Sequence, residues 1–373
     1  MSRPRILFIL SSLAVNDLGD EIVTVLGRLS RSSFEPTVVA LGGKEDLKRR
    51  IDELKVPQHF LGLAGPFGAW RAVGKVRKVI ASAAPELVHG FGSWGGAVAQ
   101  LAAPQHVAVV RSVTRPPNHE KDLRGRVLRW LERRARSRVA TRFIVPNEGS
   151  RGLAVRAYGA ADGHIVVLPR SIDVDDVRDR VRRTSRKEAR TLLGVGHEDT
   201  AVALISDFES GARMDEILTG FALAVREHPG LRMFVVGSGR YEGSTRWKAE
   251  EFQLGDSVIF LGRGTEAGPI WAAADVAIDA TPWASWSRTA LVAIAAGLPT
   301  LKRHEGVGGW SEELDEELPV ISGTPERFAA EVIGLARDPA LREEVSRHGA
   351  GVAQAVDAKN VVEKLGDLYR SLT

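Results

Sequence analysis

The stretch AIDATPWASWSRTALVAIAAGLPTL, residues Ala277–Leu301, contains a complete strand–loop–helix–strand unit. The apolar run Val276–Ile278 predicts a buried strand, and a loop rich in Pro, Ser and Trp, Thr281–Ser287, follows it. Small residues then predict a tightly packed helix over Thr289–Ala296, ended by a glycine, and a strand over Leu298–Leu301. Open α/β sheets bind phosphorylated ligands where a loop leaves a strand and opens a helix, so we expect such a site here.

Length and composition limit the classes of protein that are possible. The chain has 373 residues, of which 44% are hydrophobic and 26% charged, as in globular proteins large enough for two domains. It has no cysteine, which excludes disulfides, thiolate catalysis and cysteine-based zinc sites. The net charge of +4 suits anionic ligands or an anionic membrane surface and gives no reason to expect a nucleic-acid partner. No apolar run approaches the ~20 residues of a membrane span, and Arg5–Leu13 is interpreted as a strand rather than a signal peptide, so we expect a cytoplasmic protein.

Strand-like and helix-like patterns alternate along both halves of the chain, which predicts parallel sheets with helices on both faces. The first series of strands is predicted at Arg5–Leu10, Thr37–Leu41, Leu87–His89, His106–Ser112, Arg142–Pro146 and Ile165–Leu168. The second series is predicted at Ala201–Ile205, Met233–Val236, Val258–Leu261, Val276–Ile278, Pro299–Leu301 and Pro319–Ile321. Between the two series, Arg170–Lys187 is rich in Asp and Arg and has no clear apolar period, so we interpret it as the link between two Rossmann-like domains.

The opening stretch also resembles the donor-site segment of glycosyltransferase family 4, whose enzymes have the two-domain GT-B fold. The family pattern P-S-x-x-E-G-F-G-L-x-x-x-E-A-M-A-x-G-x-P-V is matched at its end by Ala293–Pro299, while its two glutamates fall on Ala284 and Val292. The order of several further motifs extends the resemblance along essentially the whole chain. It implies an acceptor domain over residues 1–172, joined by a C-terminal helix over 356–373, and a nucleotide-sugar donor domain over 173–355. Parallel sheets of the two domains are then expected to face a central cleft.

In the first domain, the resemblance rests on short stretches that follow predicted strands. Gly19 opens a helix where the family has Gly-Gly-Ala-Glu, although Asp20 and Glu21 there are also ordinary helix-capping residues. His89 falls on the first histidine of the family's D-x-x-H-x-H and heads a glycine-rich loop, so it is a candidate catalytic residue; a core histidine with satisfied ring nitrogens is the alternative. The residues expected at the acceptor side of the cleft are Gly19, Gly92, Ser112 and Asn147.

In the second domain, the family's diphosphate-binding Arg and Lys fall on Asp207 and Ala212. Replacement cations are available, because Arg288 opens the predicted helix and both Lys302 and Arg303 end the next strand at the same sheet edge. The residues expected to bind the donor are Gly237, Gly239, Arg263, Ser287, Arg288, Thr289 and Arg213.

Two hypotheses of function follow. The first is a glycosyltransferase that moves a sugar from a UDP- or GDP-linked donor to an unknown glycan or lipid acceptor, retaining if active, with neither a metal nor a further cofactor. Losing one group that stabilises the leaving phosphate commonly costs ~10²–10³ in rate, and here four familiar side chains are replaced. The second hypothesis is therefore a catalytically degenerate homologue that acts as a binding or partner subunit.

A basic run, Arg124–Arg142, contains a single acid, Glu132. Leu123, Val127, Leu131 and Ala135 recur in it at helical spacing, which predicts an amphipathic helix with an arginine face. A solvated surface helix is the simpler interpretation. Contact with a phosphorylated acceptor or with anionic lipid at the inner face of the membrane is the sharper hypothesis.

Overall fold

A computed structural model describes residues 3–14, 17–63, 65–114, 123–136, 142–208, 213–262, 268–281, 286–304, 320–322 and 324–373 of the chain. The chain divides into two compact units. Unit 1 comprises Met1–Ser171 and Ala358–Thr373, and unit 2 comprises Ile172–Asp357. No helix among the described residues is both long enough and apolar enough to cross a membrane.

Unit 1 is a seven-stranded parallel sheet with the strand order β3-β2-β1-β4-β5-β6-β7. Its strands are β1 (Arg5–Leu10), β2 (Glu35–Ala40), β3 (Gln58–Phe60), β4 (Leu87–Phe91), β5 (Ala108–Ser112), β6 (Arg142–Val145) and β7 (Ile165–Val167). Its helices are α1 (Asp17–Arg28), α2 (Lys48–Glu53), α3 (Gly65–Ala83), α4 (Gly92–Ala102), α5 (Leu123–Arg136), α6 (Arg151–Tyr158) and, from the end of the chain, α15 (Ala358–Leu372). The helices connect strands that run in the same direction, as the alternating sequence predicts.

The two faces of the unit 1 sheet are separate apolar layers, because successive side chains of a strand point to opposite faces. Leu7 and Ile9 of β1 belong to one layer, and Phe8 belongs to the other. The second layer also contains the apolar face of α15, including Leu365 and the fully buried Tyr369. The last helix of the chain is therefore part of the unit 1 core.

Unit 2 is a six-stranded parallel sheet with the strand order β10-β9-β8-β11-β12-β13. Its strands are β8 (Thr200–Ile205), β9 (Leu231–Val236), β10 (Val258–Gly262), β11 (Val276–Asp279), β12 (Thr300–His304) and β13 (Val320–Ser322). Its helices are α7 (Val174–Arg182), α8 (Arg186–Leu192), α9 (Met214–Glu227), α10 (Glu242–Glu251), α11 (Gly268–Ala273), α12 (Arg288–Ala295), α13 (Pro325–Arg337) and α14 (Pro339–Ala355). Apolar layers again cover both faces, with alternate residues of β8 in each layer.

The structure revises two sequence-based expectations about the elements. The two units divide after Ser171, within the expected link Arg170–Lys187, but most of this stretch is helical, because Val174, Val177 and Val181 recur at helical spacing and pack on the unit 2 core. The side chain of Asp173 caps α7 by accepting a hydrogen bond from the Asp176 N–H at 3.3 Å. The expected glycine-rich loop after β4 is also absent from the described chain, since β4 ends at Phe91 and α4 begins at Gly92.

Candidate functional site

The carboxyl edge of the unit 2 sheet contains a topological switch point. From β8 the chain continues outward to β9 and β10, whereas β11, which pairs with β8 on the other side, leads outward to β12 and β13. In such sheets ligands bind in the crevice beyond the carboxyl ends of the strands, where the winding reverses. The segments that leave β8, β9 and β11 therefore form the candidate site of this unit.

The glycine pair after β9 brings two of these segments into contact. A Cβ on Gly237, whose φ is +132°, would lie 1.8 Å from the Ser206 carbonyl oxygen, and one on Gly239 would lie 1.9 Å from that of Asp207. Both positions therefore accept only glycine. The two glycines thus let the segment after β9 approach the segment after β8 closely. Both glycines remain partly exposed.

The amino terminus of α12 follows β11 at this edge. Ser287 is its N-cap, and the Ser287 side chain accepts a hydrogen bond from the Ala290 N–H at 3.1 Å. Arg288 and Thr289, both partly exposed, are its first two residues. The first N–H groups of a helix lack partners within the helix and carry partial positive charge, so this terminus suits an anion. Ser287 itself is buried, and its hydroxyl serves the helix cap.

A buried ion pair supports the segment between β11 and α12. Asp279 is fully buried and Lys302 is 2% exposed, and the Lys302 ammonium donates to Asp279 Oδ2 at 3.1 Å. It also donates to the Thr281 carbonyl and hydroxyl oxygens, each at 2.9 Å. The sequence predicts Lys302 as a replacement cation for a phosphate. In the structure, its ammonium is instead bonded to Asp279 and Thr281 inside the protein.

A second group of charges lies at the start of α9. Arg213, in the left-handed conformation with a φ of +46°, is the N-cap residue of this helix and pairs with Glu216. Arg303, nearly buried at the end of β12, donates to the other oxygen of the same carboxylate at 3.0 Å. Two guanidinium groups thus share the carboxylate of Glu216. The expected donor residue Arg263 and the motif positions Ala212 and Ala284 lie outside the described residues.

The carboxyl edge of unit 1 has its own switch point, between β1 and β4, where Gly19 and Gly92 were expected to approach a ligand. Gly19 does not precede the helix but lies buried in the first turn of α1, where a Cβ would be 2.3 Å from the Ala14 carbonyl oxygen. Its neighbours are not caps either. Asp20 pairs with Arg50 at 2.8 Å, and Glu21 pairs with Arg170 at 3.0 Å.

The glycines at the end of β4 and in the first turns of α4 pack the helix onto the sheet. A Cβ on Gly90 would lie 2.7 Å from the Cβ of Ala99, and one on Gly95 would lie 2.6 Å from the Ile9 carbonyl oxygen. Gly92, with a φ of +69°, is the residue at which β4 turns into α4 and is partly exposed. Close helix–strand packing accounts for Gly90 and Gly95 without a ligand.

His89 lies in the middle of the unit 1 core rather than at its surface. Its Nδ1 is 2.6 Å from the Tyr369 hydroxyl of α15, and its Nε2 is 2.8 Å from the Ser112 hydroxyl of β5. Burial lowers the pKa of His89 to about 3 and raises the pKa of Tyr369, so both groups are neutral at pH 7. His89 therefore has the geometry of a core histidine with satisfied ring nitrogens, which is the alternative that the sequence left open. The Ser112 hydroxyl, expected in the cleft, is one of its two partners.

Two further polar features of unit 1 are the cap formed by Asn147 and a buried ion pair. Asn147 caps the short 3₁₀ turn Glu148–Ser150 by accepting from the Ser150 N–H at 3.1 Å. Sequence reasoning missed a buried pair in which Arg111 of β5 donates to Glu132 of α5 at 2.6 Å. The signals for it were the single acid in an arginine-rich helix and an arginine inside the apolar strand AVVRS.

Among the described residues, no group of three or more His, Cys, Asp or Glu side chains could hold a metal ion. The groups that the structure describes at the carboxyl edge of unit 2 can bind an anion, through helix amino termini and guanidinium groups.

Comparison with known proteins places the chain in a family. The family model Glycosyltransferase Family 4 matches residues 22–176, and the model Glycosyl transferases group 1 matches residues 200–338. D-inositol 3-phosphate glycosyltransferase of Saccharomonospora viridis is 28% identical over 245 residues, covering 62% of this chain and 56% of that protein. Alpha-monoglucosyldiacylglycerol synthase of Streptococcus pneumoniae is 26% identical over 138 residues, covering 36% of this chain and 31% of that protein. The chain thus matches about half or less of the length of these curated relatives.

Solved structures match over the whole chain. Anabaena Alr3699/HepE in complex with UDP-glucose superposes with a TM-score of 0.77 at 16% identity, covering 99% of this chain and all of that one. A glycosyltransferase from Rickettsia africae gives 0.76 at 14% identity, covering 100% and 99% of the two chains. WaaG, a glycosyltransferase involved in lipopolysaccharide biosynthesis, gives 0.72 at 16% identity, covering 98% and 99%. By its two family models and its two parallel-sheet units, this chain belongs to the group 1 glycosyltransferases and has the GT-B fold.

Proposed function

We propose that the protein is a glycosyltransferase that binds a nucleotide-diphosphate sugar at the carboxyl edge of unit 2 and transfers the sugar to a glycan or lipid acceptor. The observation that carries the proposal is the amino terminus of α12, capped by Ser287 and headed by Arg288, at the switch point of that sheet. Structures of Anabaena Alr3699/HepE with UDP, with UDP and glucose, and with UDP-glucose support a uridine nucleotide as the first donor to test. A guanosine nucleotide is the second.

Arg288 is proposed as the main cation for the donor diphosphate, with Gly237, Gly239, Thr289 and Arg263 as further donor contacts. A charge-assisted hydrogen bond contributes about 1.5–3 kcal/mol, so Arg288→Ala is expected to weaken binding by roughly tenfold to a hundredfold. Calorimetric titration with UDP and GDP measures this, and Arg327→Ala on α13 is the matched control with unchanged affinity. Equal binding by wild type and Arg288→Ala would move the phosphate site to the pair Arg213 and Arg303.

A binding protein without transfer activity is the second candidate, and a specific observation favours it. The positions of the family's phosphate-binding and acidic side chains hold Asp207, Ala212, Ala284 and Val292, and the nearby cation Lys302 is already bonded to Asp279. Incubation with UDP- and GDP-linked sugars distinguishes the two candidates. Release of free UDP or GDP in step with sugar consumption supports the transferase, and tight binding without release supports the second candidate.

We also propose that α5 contacts an anionic membrane surface, where a lipid acceptor would be found. Leu123 is 55% exposed and Trp130 is 43% exposed, so Leu123 does not join the apolar face on which the sequence predicted it. Both alternate with the exposed Arg126 and Arg133 along one stripe of the helix, whereas Glu132 is turned into the core. An apolar and aromatic stripe flanked by arginines suits the interface of an anionic bilayer.

Co-sedimentation with phosphatidylglycerol vesicles and with phosphatidylcholine vesicles tests the membrane contact. Binding to the anionic vesicles alone is expected, and the double variant Leu123→Ser, Trp130→Ser should lose it. Leu192→Ser, Trp247→Ser changes two side chains of unit 2 that are still more exposed, at 72% and 63%, and is the control. Equal sedimentation of both double variants would leave α5 as a solvated surface helix.

A further inference from the structure

Asp279, the last residue of β11, is bonded to Thr281 and to Ser287. This carboxylate accepts from the Ser287 N–H at 2.9 Å through Oδ2, and from the Thr281 N–H at 3.1 Å and the Thr281 hydroxyl at 2.7 Å through Oδ1. Thr281 is two residues away in sequence and Ser287 is eight. One side chain therefore sets both ends of the segment that joins the strand to the helix.

Lys302 holds the carboxylate in place from the neighbouring strand. β11 and β12 are paired with Asp279 opposite Lys302, so the two side chains start from adjacent positions of the sheet. The ammonium has three protons, and three acceptors lie within 3.1 Å of it, namely Asp279 Oδ2 and the two oxygens of Thr281. A cation so fully bonded supports its neighbours and is not available to a phosphate.

We propose that Asp279 and Lys302 are positioning residues of the donor site. They act on the ligand only through Ser287, whose N–H is fixed by Asp279 and whose hydroxyl caps α12, so they determine where the first turn of α12 and Arg288 lie. Burying two charges is costly, and apolar residues of similar volume often serve stability as well or better. The pair is therefore explained better by what it orients than by the stability it supplies. This inference rests on the proposed function insofar as it makes the positioned helix terminus a nucleotide site.

The test is a double variant that removes the charges without leaving one of them alone. In Asp279→Leu, Lys302→Met the pair is replaced by apolar groups and no buried charge is left alone, so we expect the protein to fold; its melting temperature should be lower than that of the wild type, because the N–H groups of Thr281 and Ser287 lose their acceptor. Hydrogen exchange of the Ala290 and Leu291 amides, which donate to the hydroxyl and carbonyl oxygens of Ser287, should accelerate at least about tenfold relative to α14, because the cap is no longer fixed. The dissociation constant for UDP or GDP should rise about tenfold, which corresponds to about 1.4 kcal/mol.

The matched control replaces the buried pair of unit 1, in Arg111→Met, Glu132→Leu, and should change neither the exchange of α12 nor nucleotide affinity. Thr281→Val, a milder change of the same network, should shift exchange in the same direction by a smaller factor and keeps the test informative if the double variant does not fold. Unchanged exchange at the start of α12 overturns the positioning role. Absence of nucleotide binding by the wild type overturns the proposed function, and accelerated exchange in the double variant still supports the positioning role in that case.

Discussion

The two sheets each contain a buried ion pair near their carboxyl edges, and the pairs differ in how fully their polar atoms are used. In unit 2, both oxygens of Asp279 and all three protons of Lys302 are bonded within one short segment. In unit 1, Arg111 reaches Glu132, Gln100 and the ring of Tyr158, yet Arg111 Nε and Glu132 Oε2 lack partners within the described part of the chain.

The two pairs differ in their structural role. The unit 1 pair joins elements that are distant in sequence, since Glu132 also accepts from Ser93 of α4 at 2.6 Å, so it fastens α4 and α5 to the sheet. The unit 2 pair binds Thr281 and Ser287, the residue just before the amino terminus of a helix. A local network in which every polar atom is hydrogen-bonded fixes the positions of the residues it joins. A contact between distant elements that leaves polar atoms without partners mainly resists the separation of those elements.

The largest effect is expected from breaking the unit 2 pair on one side. Lys302→Met leaves the Asp279 carboxylate buried without a counter-ion, and the free energy of unfolding should fall by about 3–5 kcal/mol. Urea titration measures this, with the exposed Lys187→Met as a control that changes stability by less than about 0.5 kcal/mol. A loss as small as that of the control would mean that Lys302 is not the counter-charge that Asp279 needs.

A smaller loss is expected from Glu132→Leu in unit 1. Arg111 keeps its contacts with Gln100, the Ser93 carbonyl oxygen and the Tyr158 ring, and a delocalised guanidinium is more weakly hydrated than other charged groups, so the cost should be about 2–3 kcal/mol. The same urea titration gives the value. If the loss exceeds that of Lys302→Met, the comparison between the saturated and unsaturated pairs is reversed.

The neutral network around His89 predicts a pH dependence of the free energy of unfolding. The pKa of His89 is about 3 in the folded protein and 6.5 ordinarily, so the unfolded chain binds more protons between these values. Stability is complete above pH 6.5 and falls as the pH decreases toward 3, by about 2 kcal/mol between pH 6.5 and 5. Urea titrations at the two pH values should show this loss in the wild type and in the exposed control His106→Asn. His89→Asn should lack it, and an equal slope in that variant would assign the effect to other groups.

The smallest effect is expected at the cap of α12. Ser287→Ala removes the acceptor for the Ala290 N–H but keeps the Ser287 N–H that Asp279 binds, and it should cost about 1 kcal/mol of stability. Nucleotide affinity should change less than in the double variant that removes Asp279 and Lys302. A larger change would show that the hydroxyl of Ser287, and not the fixed backbone, is what the site requires.

The sequence by itself determined the alternation of strands and helices, because apolar runs and their spacing record which faces are buried. It also identified the family through the order of its motifs, and it gave the start of α12 within one residue. It overlooked α7 because charged residues surround its valines, and it took the glycines after Phe91 for a loop because glycine suits both a turn and close packing.

Which polar residues face a ligand and which face the protein was decided only by the tertiary structure. His89 and Tyr369 are 280 residues apart, and Asp279 meets Lys302 across 23, so no local pattern contains either contact. A lysine at the end of a strand predicts a surface cation, and only the pairing of β11 with β12 places Asp279 beside it. The physical reason is that a charge takes its role from its nearest partners and its exposure to water, and both are set when distant segments pack together.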